Sequence, residues 1–199
     1  MATIVPNNFL PDRLDCIYTK CYCEENVWKL CDFIKCRNPN ALSNCFCVFI
    51  SNKKRQIPLW CQKHSKRDDK LVLWDYHVIF VFKDNHQVLV YDLDTTLSFP
   101  CPSELYIISA IRREENLNED FRRLFRVINA ETFLKTFASD RCHMINMKDG
   151  NYFSPPPVYP PIKTAESTNN LEDFICMDED VGVGTVMNYQ QFCDKFLQV

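Results

Sequence analysis

Three stretches of this chain carry residues able to do nucleophilic chemistry. CYCEENVWKL (21–30) holds two cysteines one residue apart, then two acids, then an apolar run. LWDYHVIFVF (73–82) holds a histidine, and QVLVYDLD (87–94) holds two aspartates. A thiol, an imidazole and a carboxylate are the parts of a nucleophilic triad: the acid orients the imidazole, and the imidazole takes the thiol proton.

The two β-rich runs are separated only by KDNH, the clearest hairpin signal in the chain. A turn centred between Asp84 and Asn85 pairs Phe82 with Gln87, Val78 with Tyr91 and His77 with Asp92. Directly opposed side chains share a face, so a carboxylate reaches the imidazole of His77. Taken alone, His77 reads first as an ordinary strand histidine beside an acid. The neighbouring residues change that balance. Both strands are apolar on both faces, as in a buried central sheet, where an unpaired histidine or aspartate is costly. The same register sets Asp75 opposite Asp94, two acids that a cationic ligand or splayed strand ends would relieve.

The thiol needs a setting of its own. Val27, Leu30, Cys31 and Ile34 form one stripe at helical spacing, which Trp28 widens, so a helix is expected from Glu24 to the NPN at 38–40. Glu24 and Glu25 suit its first turn, and Lys35 and Arg37 its last. A helix N-terminus favours a thiolate. Cys23 lies immediately before the helix; Cys21 is two residues farther out. If 21–23 is extended, both side chains point the same way. The short reach of the dipole favours Cys23 only modestly, and geometry leaves the two cysteines open.

Composition excludes several classes. The chain has 199 residues, enough for one domain, and a formal net charge of −3, which does not suit a nucleic-acid partner. No run approaches a membrane span, and MATIVPNNFLPDRLD does not read as a secretory signal. Twelve cysteines are many, but no C-x-x-C or H-x3–5-H pair accompanies CYC and CFC. Most are therefore expected to be buried hydrophobes in a reducing compartment, with no metal site and no cofactor.

Residues 1–13 read as an extended lead-in and 14–199 as one domain. CFCVFISN reads as a short β-rich run followed by IPLWCQK, and QKHSKRDDK (62–70) as a charged, solvated loop without function. FRVINA fits helix or strand. ELYIISAIRREE and AETFLKTFASD read as helical or mixed, and GVGTVMNYQQFCDKF ends in a short helix. PPPVYPPI (155–162) reads as a structural loop before it reads as a ligand for a proline-binding module. GVG is too short for a nucleotide fingerprint.

Taken together, CYCEENVWKL, VFISN, LWDYHVIF, VYDLDTTLSFP, FRRLFRVINAETFLKTFASDRCHM, PPPVYPPI and NLEDFICMD resemble the protein N-terminal glutamine amidohydrolases. The resemblance runs from about residue 14 to the C-terminus, and WDYHV is its most specific piece. It implies an α/β (α+β) fold with a largely antiparallel central sheet flanked by helices, similar to the transglutaminase and papain-like cores. It implies a monomer of the cytoplasm, and of the nucleus as a second compartment. The activity implied is removal of the side-chain amide of an N-terminal glutamine, feeding the arginine branch of the N-degron pathway. Carried over by position, the nucleophile is Cys23, the base His77 and the orienting acid Asp92. Glu24, Glu25, Trp74, Asp75 and Asp94 are the candidates for substrate contact, the acids as counter-charges to the substrate ammonium. The residues themselves leave two rivals: a cysteine protease or transglutaminase with the same triad, and a non-catalytic module that binds N-termini.

Overall fold

The computed structural model describes residues 9–197. Eight strands are present among them: β1 (Cys45–Ser51), β2 (Ile57–Leu59), β3 (Val72–Trp74), β4 (His77–Lys83), β5 (Val88–Tyr91), β6 (Cys101–Pro102), β7 (Leu124–Asn129) and β8 (Thr185–Met187). Six form one antiparallel sheet in the order β6-β5-β4-β1-β7-β8, and β2 pairs with β3 separately. The helices are α1 (Cys23–Arg37), α2 (Ser103–Tyr106), α3 (Ala130–Thr136), α4 (Leu171–Ile175) and α5 (Tyr189–Phe196). The fold is thus the expected mixed α and β architecture around an antiparallel sheet. FRVINA, open between two readings, is strand β7. No helix of the described residues is long and apolar enough to cross a membrane.

The alternation along β4 explains why its sequence is apolar throughout. Val78, Phe80 and Phe82 face one core with α1, α3 and α4, while Ile79 and Val81 face a second core with α2 and α5. Successive side chains of a strand point to opposite faces, so a strand buried on both sides shows no polar alternation. The stripe expected on α1 is its buried face: Val27, Leu30, Cys31 and Ile34 are each at most 3% exposed.

The hairpin differs from expectation by two residues. Phe80 pairs with Tyr91, Phe82 with Leu89 and Lys83 with Val88. The turn is 84–87, closed by the Asp84 N–H donating to the Gln87 carbonyl. The Asp84 side chain sets it: Oδ1 accepts from the N–H groups of His86 (2.7 Å) and Gln87 (2.9 Å), a local turn that aspartate makes readily. His77 and Asp92 are therefore diagonal rather than opposed. A slip of two keeps each side chain on its face, whereas a slip of one would have separated them. Asp75 and Asp94 do not oppose each other in a ladder, because β4 starts at His77 and β5 ends at Tyr91.

Of the expected lead-in, residues 1–8 lie outside the described residues. From Phe9 the chain packs on the first core, with Phe9 edge-on to Phe82 at 5.8 Å. All twelve cysteines are free; five are buried, five half-buried and two exposed, so fewer are core residues than composition suggested. The proline-rich segment touches α1 through Tyr159, whose ring centroid lies 4.3 Å from Lys29 Nζ, and the carbonyls of Pro157 and Tyr159 accept from Arg141.

Candidate active site

His77 and Asp92 meet at the open end of the β4–β5 pair. Nε2 of His77 lies 3.0 Å from Asp92 Oδ1, and both side chains are at most 1% exposed. Asp92 collects three more donors: Gln62 Nε2 (3.1 Å), Tyr106 hydroxyl (2.8 Å) and the Asp94 N–H (2.9 Å). Burial alone would raise its pKa, but His77 and these donors bring it down to about 2. A carboxylate with that many donors stays ionised. Burial pushes His77 down, but the charge and hydrogen bond of Asp92 outweigh it and hold the imidazole above its ordinary value. Trp74 stacks on the ring at 5.2 Å and 19°. With Nε2 committed to Asp92, Nδ1 is the free nitrogen, buried and without a partner.

Cys23 opens α1 beside the start of β4. Asn26 fixes the approach, exchanging two 2.8 Å hydrogen bonds with the backbone of Thr19. The chain before the helix is not extended: Cys21 sits at φ +67°, in the left-handed region, at an expense of about 1–2 kcal/mol for a residue with a Cβ. Both cysteines nonetheless line the same pocket. The Cys23 thiol differs from expectation. Burial, then the charges of Glu24 and Asp94, push it well above its ordinary value, against a pull from the Val78 N–H that donates to Sγ. The helix N-terminus does not overcome desolvation and the charges of Glu24, Asp94 and Asp75. Cys23 rests as a thiol, and a thiol in this state is a nucleophile only once a base removes its proton.

The pocket holds about 350 Å³ and is lined by Cys21, Cys23, Trp74, Tyr76, Asp94 and His143, with Asp75 also on its wall. The expected acids are distributed unevenly around it. Glu25 is buried and holds Arg141 through both oxygens at 2.8 Å, away from the pocket lining. Asp75 is exposed and accepts from the Tyr76 N–H. Asp94 is 2% exposed and lines the pocket; its Oδ1 accepts from Tyr18 hydroxyl at 2.5 Å. One ligand-type atom each from His77, Asp92 and Asp94 lies within 4.8 Å of the others. Glu24 is fully buried, accepting from Tyr76 hydroxyl (3.1 Å) and from the Cys23 thiol (3.6 Å).

Several polar residues at the site escaped the sequence reading. Gln62 belongs to the stretch expected to be a solvated loop, yet it is fully buried against Asp92. His64 of the same stretch lies 3.5 Å from Asp94. Tyr18, Tyr106 and His143 come from three further segments. Only the preference for pairing of a buried carboxylate pointed to such partners, and it does not say which segment supplies them.

A thiol in a pocket wall, on a helix that packs on the strand opened by a buried imidazole with a carboxylate behind it, supplies the parts that thiol-dependent hydrolases use, although no hydrogen bond joins Cys23 to His77 among the described residues. Comparison with known proteins narrows this class. The family model described as N-terminal glutamine amidase matches residues 18–196. The chain is 47% identical to the protein N-terminal glutamine amidohydrolase of Bos taurus, covering 94% of this chain and 89% of the relative. For the protein of the same name in Homo sapiens the identity is 46% over 94% and 90% of the two chains, and in Danio rerio 48% over 94% and 92%. The chain belongs to the N-terminal glutamine amidase family.

Proposed function

We propose that this chain deamidates the side chain of N-terminal glutamine in proteins and peptides, giving N-terminal glutamate and ammonia. The observation that carries the reading is the family match across the segment that contains the pocket, with Cys23 in its wall and Asp94 facing the same space. Cys23 Sγ attacks the γ-carboxamide carbon. His77 Nδ1 takes the thiol proton and returns it to the departing nitrogen, which leaves as ammonia. Water, activated by His77, then hydrolyses the γ-thioester. Asp92 keeps the proton on Nε2 and stabilises the imidazolium. Backbone N–H groups at the start of α1 serve the oxyanion.

Restriction to the first residue needs a counter-charge for the α-ammonium. Asp94 supplies it: it is buried, lines the pocket and is oriented by Tyr18. Asp75 adds charge at the wall, and Trp74 bounds the space. Glu25, with both oxygens on Arg141, takes no part. The product, an N-terminal glutamate, is read by the arginine branch of the N-degron pathway. We propose that the enzyme acts there as a monomer, in cytoplasm and nucleus, without a cofactor.

The test is ammonia release from a Gln-initiated peptide and from its N-acetylated form. Wild type acts on the first only, and Cys23→Ala on neither. Chain cleavage or amine incorporation would favour a protease or transglutaminase, and full activity in Cys23→Ala would remove the nucleophile.

A further inference from the structure

Cys23 has an acid–base neighbour that the proposed triad does not use. In the resting arrangement its thiol donates to Glu24 Oε2 at 3.6 Å. Glu24 is fully buried, and its other oxygen, Oε1, has no hydrogen-bond partner. That oxygen lies 3.7 Å from Nε2 of His143, whose side chain is 22% exposed and lines the pocket. Tyr76 hydroxyl bridges the two, at 3.1 Å from Glu24 and 3.5 Å from His143. Sγ, carboxyl and imidazole thus form a continuous row from the nucleophile to the pocket surface. Acid–base contacts of this length shorten when substrate binds.

The reaction supplies a reason for such a row. In acylation the C–S bond forms and the C–N bond breaks, and one proton moves from sulfur to nitrogen. In hydrolysis a C–O bond forms and the C–S bond breaks. Water provides one proton to restore the thiol and one that the new γ-carboxylate does not keep. If ammonia leaves uncharged, each turnover leaves one proton in the site. His77 offers no outlet of its own: it is 1% exposed, stacked under Trp74 and bound to Asp92.

We propose that Glu24 and His143 form a second acid–base pair: in hydrolysis one water proton restores the Cys23 thiol, and the one that the new γ-carboxylate does not keep passes to Glu24 beside Sγ and through His143 to the pocket. This rests on Cys23 being the nucleophile. The charged and titratable groups around Glu24 agree with it. On its own helix are Cys23 and Glu25; from the approach to β4 come Tyr76 and His77; from 141–143 come Arg141, committed to Glu25, and His143. Burial lifts Glu24 to about 7, so it takes up and gives back a proton at neutral pH. Burial lowers His143, which leaves its imidazole neutral and able to accept.

The experiment follows ammonia release from a Gln-initiated peptide by wild type, Glu24→Gln and His143→Ala across neutral pH, with Cys23→Ala as control. In Glu24→Gln, kcat falls by roughly a hundredfold, the lower end of what a positioned acid–base group contributes, and the kcat limb near neutrality disappears while KM changes little. In His143→Ala, kcat falls less, and free imidazole restores it in a concentration-dependent way. A packing role for either side chain gives no such rescue. Unchanged kcat and pH profile in both variants would mean that the proton departs with ammonia, and would overturn the proposal. So would a slow His143→Ala that imidazole does not restore, a result readable even if Glu24→Gln fails to fold. Absence of Gln-dependent ammonia release in wild type, or its persistence in Cys23→Ala, would instead overturn the underlying function.

Discussion

Two buried carboxylates stand at the site, Glu24 against the Cys23 thiol and Asp92 against His77, and they carry opposite charge habits. Asp92 has four donors and is held down to about 2; Glu24 has a tyrosine hydroxyl and a weak thiol donor, leaves Oε1 unpartnered, and rises to about 7. Burial is equal in the two cases, so the neighbouring charge, His77 beside Asp92 and Glu25 beside Glu24, and the number and strength of donors decide the outcome. One acid is a fixed charge that orients His77. The other exchanges its proton near neutral pH. A third, Glu25, shows another solution: a bidentate arginine, also buried, which commits the carboxylate to structure.

The contrast can be broken from either side. The largest effect is expected from Asp92→Asn, which keeps the shape but removes the charge and lets the imidazole take the wrong tautomer. By analogy with triad acids, kcat should fall by about 10³–10⁴, measured as ammonia release under saturating peptide. The same variant should alter acid stability. Asp92 is depressed below its ordinary 3.8, so it stabilises the fold above that value and the contribution is lost as pH falls towards 2; Asp92→Asn should lack that limb in acid denaturation.

Glu24→Gln should act on stability with the opposite sign. A carboxyl raised in the folded state binds its proton more tightly there, so the fold is penalised as pH rises from the ordinary 4.5 through about 7. The variant should therefore be more stable than wild type at alkaline pH, by up to about 3 kcal/mol, with the gain vanishing in acid. Denaturant unfolding at both ends of the range measures it, and parallel curves would show that Glu24 is not the high-pKa member of the pair. Tyr106→Phe removes one donor from Asp92 and should cost about 1–2 kcal/mol, with the acid limb beginning at higher pH. Cys21→Ala should have the smallest effect, less than about tenfold in kcat, because Cys21 lines the pocket but lies outside the N-terminus of α1, which Cys23 opens.

These partners also mark how far the sequence was legible. Apolar runs on both sides of KDNH announced a buried central sheet, and α1 followed from its stripe, because periodic burial is written locally. Parity alone was enough to put His77 and Asp92 on one face, even though the Asp84 turn moved the register by two. The surroundings of Asp92 and Glu24 were not legible. Gln62, Tyr106 and His143 reach them across long separations, and a lone polar residue in a loop looks the same whether it is solvated or buried. The reversal of the Cys23 expectation has the same origin: the helix N-terminus is local and visible, whereas the desolvation and Asp94 charge that oppose it arise only from tertiary packing.

The most direct test uses peptides that differ only in residue one: glutamine, asparagine, glutamate and pyroglutamate. The account predicts ammonia from the glutamine peptide alone, conversion of that residue to glutamate with the chain intact, and loss of the reaction in Cys23→Ala. Equal release from asparagine or from an internal glutamine, or full activity without the Cys23 thiol, would contradict it.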